Sequence, residues 1–104
     1  MAQRAFKMFL KPGAAEEYRR RHDEIWPELA QLLRDTGVTE YLIYFDPTAD
    51  ALFAFVDEIP SADEKWIGAY PVMQRWWKYM ADLMVTNDDN SPVTGALVEV
   101  FRLA

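Results

Sequence analysis

The spacing of hydrophobic residues along this 104-residue chain switches between the period of a strand and the period of a helix. Residues 4 to 10 and residues 96 to 103 place apolar side chains at every second position, which is typical of strands with one buried side. Residues 38 to 46 and 51 to 59 are rich in aromatic and β-branched residues, and the turn from Pro47 to Asp50 joins them as a hairpin. The pattern therefore predicts four strands.

A helical segment with the three- and four-residue period follows the first strand. It runs from Ala14 to about Leu33, and Gly37 follows its end. Pro27 interrupts the segment, because proline has no N–H and disfavours helical angles at the residue before it. We therefore expect a kink or break between Asp23 and Pro27.

A second helical segment, PVMQRWWKYMADLM, begins at Pro71. Before it, Ser61 and Glu64 have the spacing of a capping box. The resulting order β-α-β-β-α-β in about 100 residues predicts an α+β fold of the ferredoxin-like split βαβ type, with helices on one face of a four-stranded antiparallel sheet. The sequence contains no repeat and no linker, so we expect residues 1 to 104 to form a single domain.

The strand residues are apolar on both faces of the predicted sheet. Phe6 and Met8 point one way while Ala5 and Phe9 point the other, and the hairpin strands show the same two-sided pattern. Helices can cover only one face of such a sheet. The uncovered face predicts a partner sheet, and therefore a symmetric homodimer.

Composition narrows the classes of function. The chain has 17 acidic and 11 basic residues, a net charge of −6, which argues against a nucleic-acid partner. It has no cysteine, which excludes disulfides and thiolate chemistry and fits a reducing compartment, so we expect a cytoplasmic location. No signal peptide and no uninterrupted apolar run of about 18 residues is found, so we expect no membrane association.

Nucleotide and metal sites are not expected from the motifs. The 4 glycines are isolated and form no phosphate-binding loop. His22 is the only histidine, so a zinc site of the usual kind has no second imidazole. The sequence therefore predicts neither a cofactor nor a metal.

His22 is the first candidate for chemistry, because an imidazole with a pKa near ~6.5 is suited to proton transfer at neutral pH. It lies on the apolar side of the first helical segment, with Tyr18 one turn before it and Trp26 one turn after it. The three rings line one surface if the break at Pro27 does not turn Trp26 away. A core histidine bonded to a carbonyl group is the other explanation of this position.

The adjacent Trp76 and Trp77 are the second unusual feature, because neighbouring side chains on a helix diverge by about 100° and cannot both face one core. Flat aromatic faces with an N–H or O–H group suit a small polyhydroxylated ligand. Together with Tyr18 and Tyr41, the tryptophans are therefore candidate ligand-binding residues. Packing in the core and at a dimer interface is the alternative explanation.

Two charged segments receive a simpler interpretation. Residues 87 to 92 form an acidic loop that could supply hydrogen-bonding groups or a weak cation site, but it lacks the spacing of an EF-hand, and we expect a solvated turn. The run Arg19 to Arg21 follows Glu16 and Glu17 at helical spacing. It predicts a solvated helix face, and an arginine that reaches a partner subunit or holds a substrate hydroxyl is the alternative.

Three segments carry a resemblance to a known family. YRRRHDEIWPEL, QRWWKYMADLM and NDDNSPV, in this order, resemble the L-rhamnose mutarotase family over essentially the whole chain. The resemblance implies a cofactor-independent enzyme that interconverts the α and β anomers of L-rhamnose, on a dimeric ferredoxin-like fold of the α/β-barrel type in the cytoplasm. It implies that His22 is the proton donor and that the sugar contacts are Tyr18, Tyr41, Trp76 and Trp77. The sequence departs from the family at Asp88, where the family has proline.

Ring opening of a pyranose removes a proton from the anomeric hydroxyl and delivers one to the ring oxygen. Our hypothesis is that His22 protonates the ring oxygen, while a water, a tyrosine or a carboxylate receives the hydroxyl proton.

Two other functions stay open for this fold. One is a non-catalytic ligand-binding or interaction dimer in which His22 and the tryptophans only pack. The other is a haem-dependent monooxygenase with His22 as axial ligand.

Overall fold

The computed structural model describes residues 2 to 59 and 66 to 103, and shows a small α+β fold. The predicted capping box at Ser61 and Glu64 lies outside these residues. In the described ranges the strands are β1 (Ala2–Phe9), β2 (Val38–Asp46), β3 (Ala51–Glu58) and β4 (Gly95–Leu97). The helices are α1 (Ala15–Asp23), α2 (Pro27–Asp35) and α3 (Pro71–Met80), and two short 3₁₀ turns flank α3.

The strands form one antiparallel sheet in the order β2-β3-β1-β4. The register places both Met8 of β1 and Phe45 of β2 opposite Leu52 of β3, so these three side chains share one face. This is the face that the helices cover. The predicted strand positions and the predicted division of their side chains between two faces are thus confirmed for β1, β2 and β3.

The first helical segment is broken where the sequence predicts it. α1 ends at Asp23 and α2 begins at Pro27, while Trp26 has the extended angles φ −62° and ψ 130° that a residue before proline prefers. The chain turns here because the N–H of Ile25 donates to the carbonyl oxygen of His22 at 3.1 Å. No helix in the described part of the chain is long and apolar enough to cross a membrane.

Gly37 makes the connection from α2 to β2 possible. Its φ is +102°, a conformation that side chains disfavour, and a Cβ atom there would lie 2.7 Å from the carbonyl oxygen of Ile59. The Ile59 N–H donates to the Gly37 carbonyl oxygen at 2.9 Å. The close contact ties the end of β3 to the start of β2.

The core lies between the helices and the covered face of the sheet. Ala54 and Val56 of β3 have no exposed surface, and Leu29 of α2 and Met80 of α3 are each 2% exposed. Burying an aliphatic side chain of this size contributes about 1.5–3 kcal/mol relative to leaving it in water. The core therefore fixes the relative positions of β3, α2 and α3, against which the candidate site is built.

The second face of the sheet is apolar and exposed, as the sequence predicts. Leu42 pairs with Phe55 across β2 and β3, and the two side chains are 41% and 38% exposed. Tyr44, on the same face, is 59% exposed and meets the Phe55 ring edge to face at 5.8 Å between centroids. Such a contiguous apolar surface is typical of an interaction site.

The prediction of a strand over residues 96 to 103 is wrong beyond Leu97. β4 pairs with β1 through Gly95 to Leu97 only, and the following apolar residues Val98, Val100, Phe101 and Leu103 are 77% to 92% exposed. Alternation shows that a segment is suited to a strand, but a strand also needs a neighbour for its backbone N–H and C=O groups. Among the strands that the structure describes, none pairs with the chain beyond Leu97.

Candidate active site

A cavity of about 920 Å³ lies between the helices and the β2 edge of the sheet. All five candidate residues line it: Tyr18, His22, Tyr41, Trp76 and Trp77. Most of the remaining wall is apolar, and the charged side chains among the lining residues are Glu16, Arg19 and Asp23. An apolar cavity with a few converging polar groups is the usual form of a small-molecule site.

α1 places Tyr18 and His22 on the cavity side, because residues four apart lie one above the other on a helix. Their rings stack at 4.2 Å between centroids with an angle of 28°. Tyr18 is buried, at 7% exposure, and His22 is half-buried. The phenol therefore holds one face of the imidazole.

The imidazole is also oriented by a backbone group. Nδ1 of His22 lies 3.0 Å from the carbonyl oxygen of Tyr18. Because a carbonyl oxygen can only accept, Nδ1 carries the hydrogen in the neutral ring and donates it. Nε2 then has a free lone pair and can accept a proton from a ligand.

The surroundings of His22 favour its neutral form. Burial lowers the pKa of His22 below its ordinary value of 6.5, and the Tyr18 carbonyl and the Asp23 carboxylate oppose this shift without cancelling it. At neutral pH the side chain is therefore uncharged. In this state it can accept a proton, and after accepting one it is an acid that readily gives it up.

The two neighbouring tryptophans differ in their surroundings. Trp76 is buried, at 7% exposure, and meets the His22 ring edge to face at 5.3 Å. Trp77 is half-buried and contacts the exposed Trp66 at 5.8 Å. Both side chains nevertheless reach the cavity wall, one beside the imidazole and the other toward the surface.

The phenols of Tyr18 and Tyr41 stay protonated. Burial raises the pKa of the Tyr18 hydroxyl, and the nearby Tyr41 raises it further. Burial also raises the pKa of Tyr41, against the opposing charge of Arg4. Both hydroxyls can therefore donate hydrogen bonds to a ligand over the whole physiological range of pH.

Trp26 does not line the cavity with Tyr18 and His22, because the break before Pro27 turns it away, which is one of the two cases that the sequence left open. The break before Pro27 turns it behind Trp76, which it meets edge to face at 5.1 Å, and its ring lies 5.5 Å from that of Tyr79. It therefore supports the wall from outside. The extended backbone at Trp26 is the physical reason for the change in direction.

The prediction of a solvated arginine face is wrong for Arg21. Arg19 and Arg20 are exposed, but the side chain of Arg21 is only 12% exposed. Its guanidinium group crosses to the end of α3, where it donates to the Asp82 carboxylate and to the carbonyl oxygen of Tyr79. Helical spacing alone could not reveal these partners, because they lie about 60 residues further along the chain.

The acidic loop contributes to the wall through Asn90 and Pro92, which the sequence did not single out within the loop. Asn90 has a φ of +69°, and the loop is closed by a hydrogen bond from Asn87 Nδ2 to Ser91 Oγ at 3.0 Å. Asp89 accepts from both the N–H and the hydroxyl of Ser91. Within residues 2 to 59 and 66 to 103, no group of three acidic, histidine or cysteine side chains forms a metal-binding cluster.

Known proteins resemble this chain over its full length. The sequence profile of the family described as L-rhamnose mutarotase matches residues 3 to 103. An L-rhamnose mutarotase of Phocaeicola vulgatus is 50% identical over 103 residues, covering 99% of each chain, and one of Shigella flexneri is 51% identical over 105 residues, also covering 99% of each. The crystal structure of L-rhamnose mutarotase from Formosa agariphila superposes with a TM-score of 0.91 at 42% identity, covering 100% of both chains. The chain therefore belongs to the L-rhamnose mutarotase family.

Proposed function

We propose that this protein is a cofactor-independent isomerase that interconverts the α and β anomers of L-rhamnopyranose, with His22 as the group that carries the proton. The observation that supports this most is the geometry of His22. Its Nδ1 is engaged by the Tyr18 carbonyl oxygen at 3.0 Å, which leaves Nε2 as the free nitrogen in a cavity walled by phenols and indoles. Membership of the family and the printed names of the relatives support the choice of sugar.

His22 can serve both proton transfers of ring opening. The anomeric hydroxyl and the ring oxygen are bonded to the same carbon, so one nitrogen placed beside that carbon reaches both. Neutral Nε2 takes the hydroxyl proton, and the imidazolium then donates this proton to the ring oxygen as the bond from carbon to ring oxygen breaks. His22 is neutral again once the ring is open. The aldehyde then rotates, and in closure Nε2 takes the proton of the former ring oxygen and returns it to the new anomeric hydroxyl, so that His22 ends neutral. In this scheme His22 is the proton donor to the ring oxygen, and no second titrating group is needed.

The aromatic residues orient the sugar. The Tyr18 and Tyr41 hydroxyls keep their protons and donate hydrogen bonds to sugar oxygens, and Trp76 and Trp77 offer flat surfaces to the C–H groups of the ring. Positioned proton transfer contributes about 10²–10⁴-fold to a rate, and orientation adds to this. Spontaneous mutarotation is already an easy reaction, so these two contributions are enough.

Saturation-transfer NMR on equilibrated L-rhamnose tests the proposal. We expect the protein to accelerate exchange between the two anomers, and His22→Gln, which keeps a side chain of similar length, to lose at least about 10²-fold of the acceleration. Arg75→Met is the control, because Arg75 is exposed and lies outside the cavity lining. No acceleration by the unmodified protein contradicts the proposal. If L-rhamnose then still quenched tryptophan fluorescence, the cavity would be a non-catalytic binding site.

We also propose that the fold is of the ferredoxin-like split βαβ type and assembles as a homodimer. The strand order β2-β3-β1-β4 supports the fold type, and the exposed apolar face around Leu42 and Phe55 supports a second copy of the chain as its cover. Light scattering should give twice the 12.1 kDa chain mass. Phe55→Glu should yield monomer, whereas Trp66→Glu, at a more exposed residue away from this face, should not.

The absence of cysteine supports a cytoplasmic location, and the charge of −6 argues against a nucleic-acid partner. The sequence has no uninterrupted apolar run of about 18 residues, which argues against a membrane partner. The partner we propose is therefore the sugar itself together with a second copy of the chain. Fluorescence microscopy of the tagged protein in its own cell tests the location. A membrane-bound or exported pool would contradict it.

A further inference from the structure

α1 carries Tyr18 and His22 of the candidate site; Tyr18 fixes its middle in the core, but few features fix its two ends. It is nine residues long, its N-cap residue Ala14 makes no side-chain cap, and it ends one residue after His22. The break before Pro27 separates it from α2, so the packing of α2 does not hold it in line. The distance from His22 to the tryptophans of α3 therefore depends on contacts between α1 and α3.

Arg21 makes such contacts, because its guanidinium group reaches the end of α3 and the turn that follows it. Its Nη1 donates to Asp82 Oδ1 at 2.8 Å and to the carbonyl oxygen of Tyr79 at 2.8 Å, and its Nη2 donates to Asp82 Oδ2 at 3.2 Å. Glu17, one turn earlier on α1, accepts from Nε at 2.7 Å and fixes the plane of the group. The Arg21 side chain is 12% exposed and the Asp82 side chain is 64% exposed, so solvent reaches the carboxylate, and the fixed geometry of the guanidinium group matters more than the charge attraction.

The same guanidinium group is connected to the site through aromatic rings. Its Cζ lies 4.6 Å from the centroid of the Tyr79 ring, which contacts Trp76 at 5.7 Å. Trp76 in turn meets His22 at 5.3 Å. Arg21 and His22 are neighbours on α1. The contacts from Arg21 through Tyr79 and Trp76 to His22 therefore fix where the imidazole lies against the indole.

We propose that Arg21 is a positioning residue for the mutarotase reaction, fixing α1 against the end of α3 so that His22 meets the sugar held by Trp76 and Trp77. This inference rests on the proposed function. The positioning role requires the planar guanidinium group of arginine and not only its positive charge. A lysine ammonium cannot hold both Asp82 oxygens and the Tyr79 carbonyl in a fixed plane. Arg21→Lys is therefore the decisive variant.

The experiment compares Arg21→Lys with the control Arg75→Met. Arg75 joins α3 to Glu28 of α2 at 3.2 Å through two largely exposed side chains, so its loss removes a pair between helices without touching α1. We expect Arg21→Lys to lower kcat for anomer exchange by about 10- to 100-fold, since displacements of about 1 Å cost this much. We expect the control to stay within about twofold.

A second readout follows His22 directly, because its imidazole gives the one histidine signal of the chain. The charge at position 21 is unchanged in Arg21→Lys, so a change in the His22 titration reports a change in position. The other charged groups facing the cavity, Glu16, Arg19 and Asp23, are unaltered. We expect the imidazole to become more solvated and its NMR titration midpoint to rise toward 6.5.

Each outcome decides the inference. A folded Arg21→Lys protein with the original kcat and the original His22 midpoint overturns the inference. An Arg21→Lys protein whose Tm falls while both of these readouts stay unchanged overturns it too. If Arg21→Lys does not fold, Asp82→Asn, which weakens the same contact from the turn after α3, must lower kcat and raise the His22 midpoint. Removing a carboxylate charge by itself lowers a histidine midpoint, so a rise still reports a change in position. If the unmodified protein does not accelerate exchange, the proposed function fails, and the His22 midpoint alone still shows whether Arg21 positions the imidazole.

Discussion

Replacing Trp76 with leucine should weaken the fold and the site together. Trp76 is 7% exposed and makes ring contacts with His22 at 5.3 Å, with Trp26 at 5.1 Å and with Tyr79 at 5.7 Å. Aromatic pairs contribute about 0.5–1.5 kcal/mol each beyond the area that they bury. Three such pairs amount to about 1.5–4.5 kcal/mol. Leucine restores some contacts but leaves part of the indole volume unfilled, so we expect a loss of about 2–4 kcal/mol in the free energy of unfolding.

Thermal and urea unfolding measure this loss. For a domain of about 100 residues, each kcal/mol lowers Tm by about 4–8 °C, so Trp76→Leu should melt at least about 8 °C below the unmodified protein. Trp66→Leu is the matched control, because Trp66 is 61% exposed and has one ring contact, with Trp77 at 5.8 Å. It should lose about 1 kcal/mol or less.

Activity of Trp76→Leu, measured well below its melting temperature, should fall as well, because the edge of the indole that fixes His22 is gone. A loss of less than about 0.5 kcal/mol, the range of ordinary surface substitutions, would refute the packing argument. Activity equal to that of Trp66→Leu would refute the role of Trp76 beside the imidazole.

Two further substitutions test separate parts of the structure. Asn90→Gly should raise KM for L-rhamnose with little effect on Tm, because Asn90 lines the cavity and glycine tolerates its φ of +69°. Asn87→Ala should instead lower Tm by opening the loop that Asn87 closes onto Ser91. Equal KM values for Asn90→Gly and the unmodified protein would remove Asn90 from the binding site. Gly37→Ala should lower the free energy of unfolding, measured in urea, by about 1–3 kcal/mol or more. The φ of Gly37 is +102°, and the new Cβ would lie 2.7 Å from the carbonyl oxygen of Ile59. Gly13→Ala, at φ +79° with nothing within 4 Å, should cost less; a larger effect there would contradict the steric argument.

Local patterns were enough to predict most of the fold. The break before Pro27 follows from the chemistry of proline, and the hairpin around Asp50 follows from the turn residues between two apolar strands. Such features depend on residues a few positions apart. His22 and Tyr18 were placed together for the same reason, because their spacing of four residues is one helical turn.

Features that depend on distant partners were not predictable in this way. The burial of Arg21 depends on Asp82 and on the carbonyl group of Tyr79, which approach only when α1 packs beside α3. The end of β4 at Leu97 depends on where a neighbouring strand is present, which alternation does not report. The direction of Trp26 depends on the angle of the break, although the break itself was foreseen.

The proposed chemistry depends on a neutral His22 acting alone as base and then acid. Burial lowers the pKa of His22 below 6.5, so the active neutral form predominates at neutral pH and is lost as pH falls through that pKa. Burial raises the pKa values of Tyr18 and Tyr41 above 10, so neither phenol should add an ionisation at alkaline pH.

The most direct measurement is the pH dependence of kcat/KM for anomer exchange between pH 5 and 9, compared with the NMR titration of His22 in the same protein. We predict one acid limb whose midpoint coincides with the His22 midpoint below 6.5, and a level profile above it. A bell-shaped profile would show a second titrating group. A limb displaced from the His22 titration would contradict the assignment of proton transfer to His22.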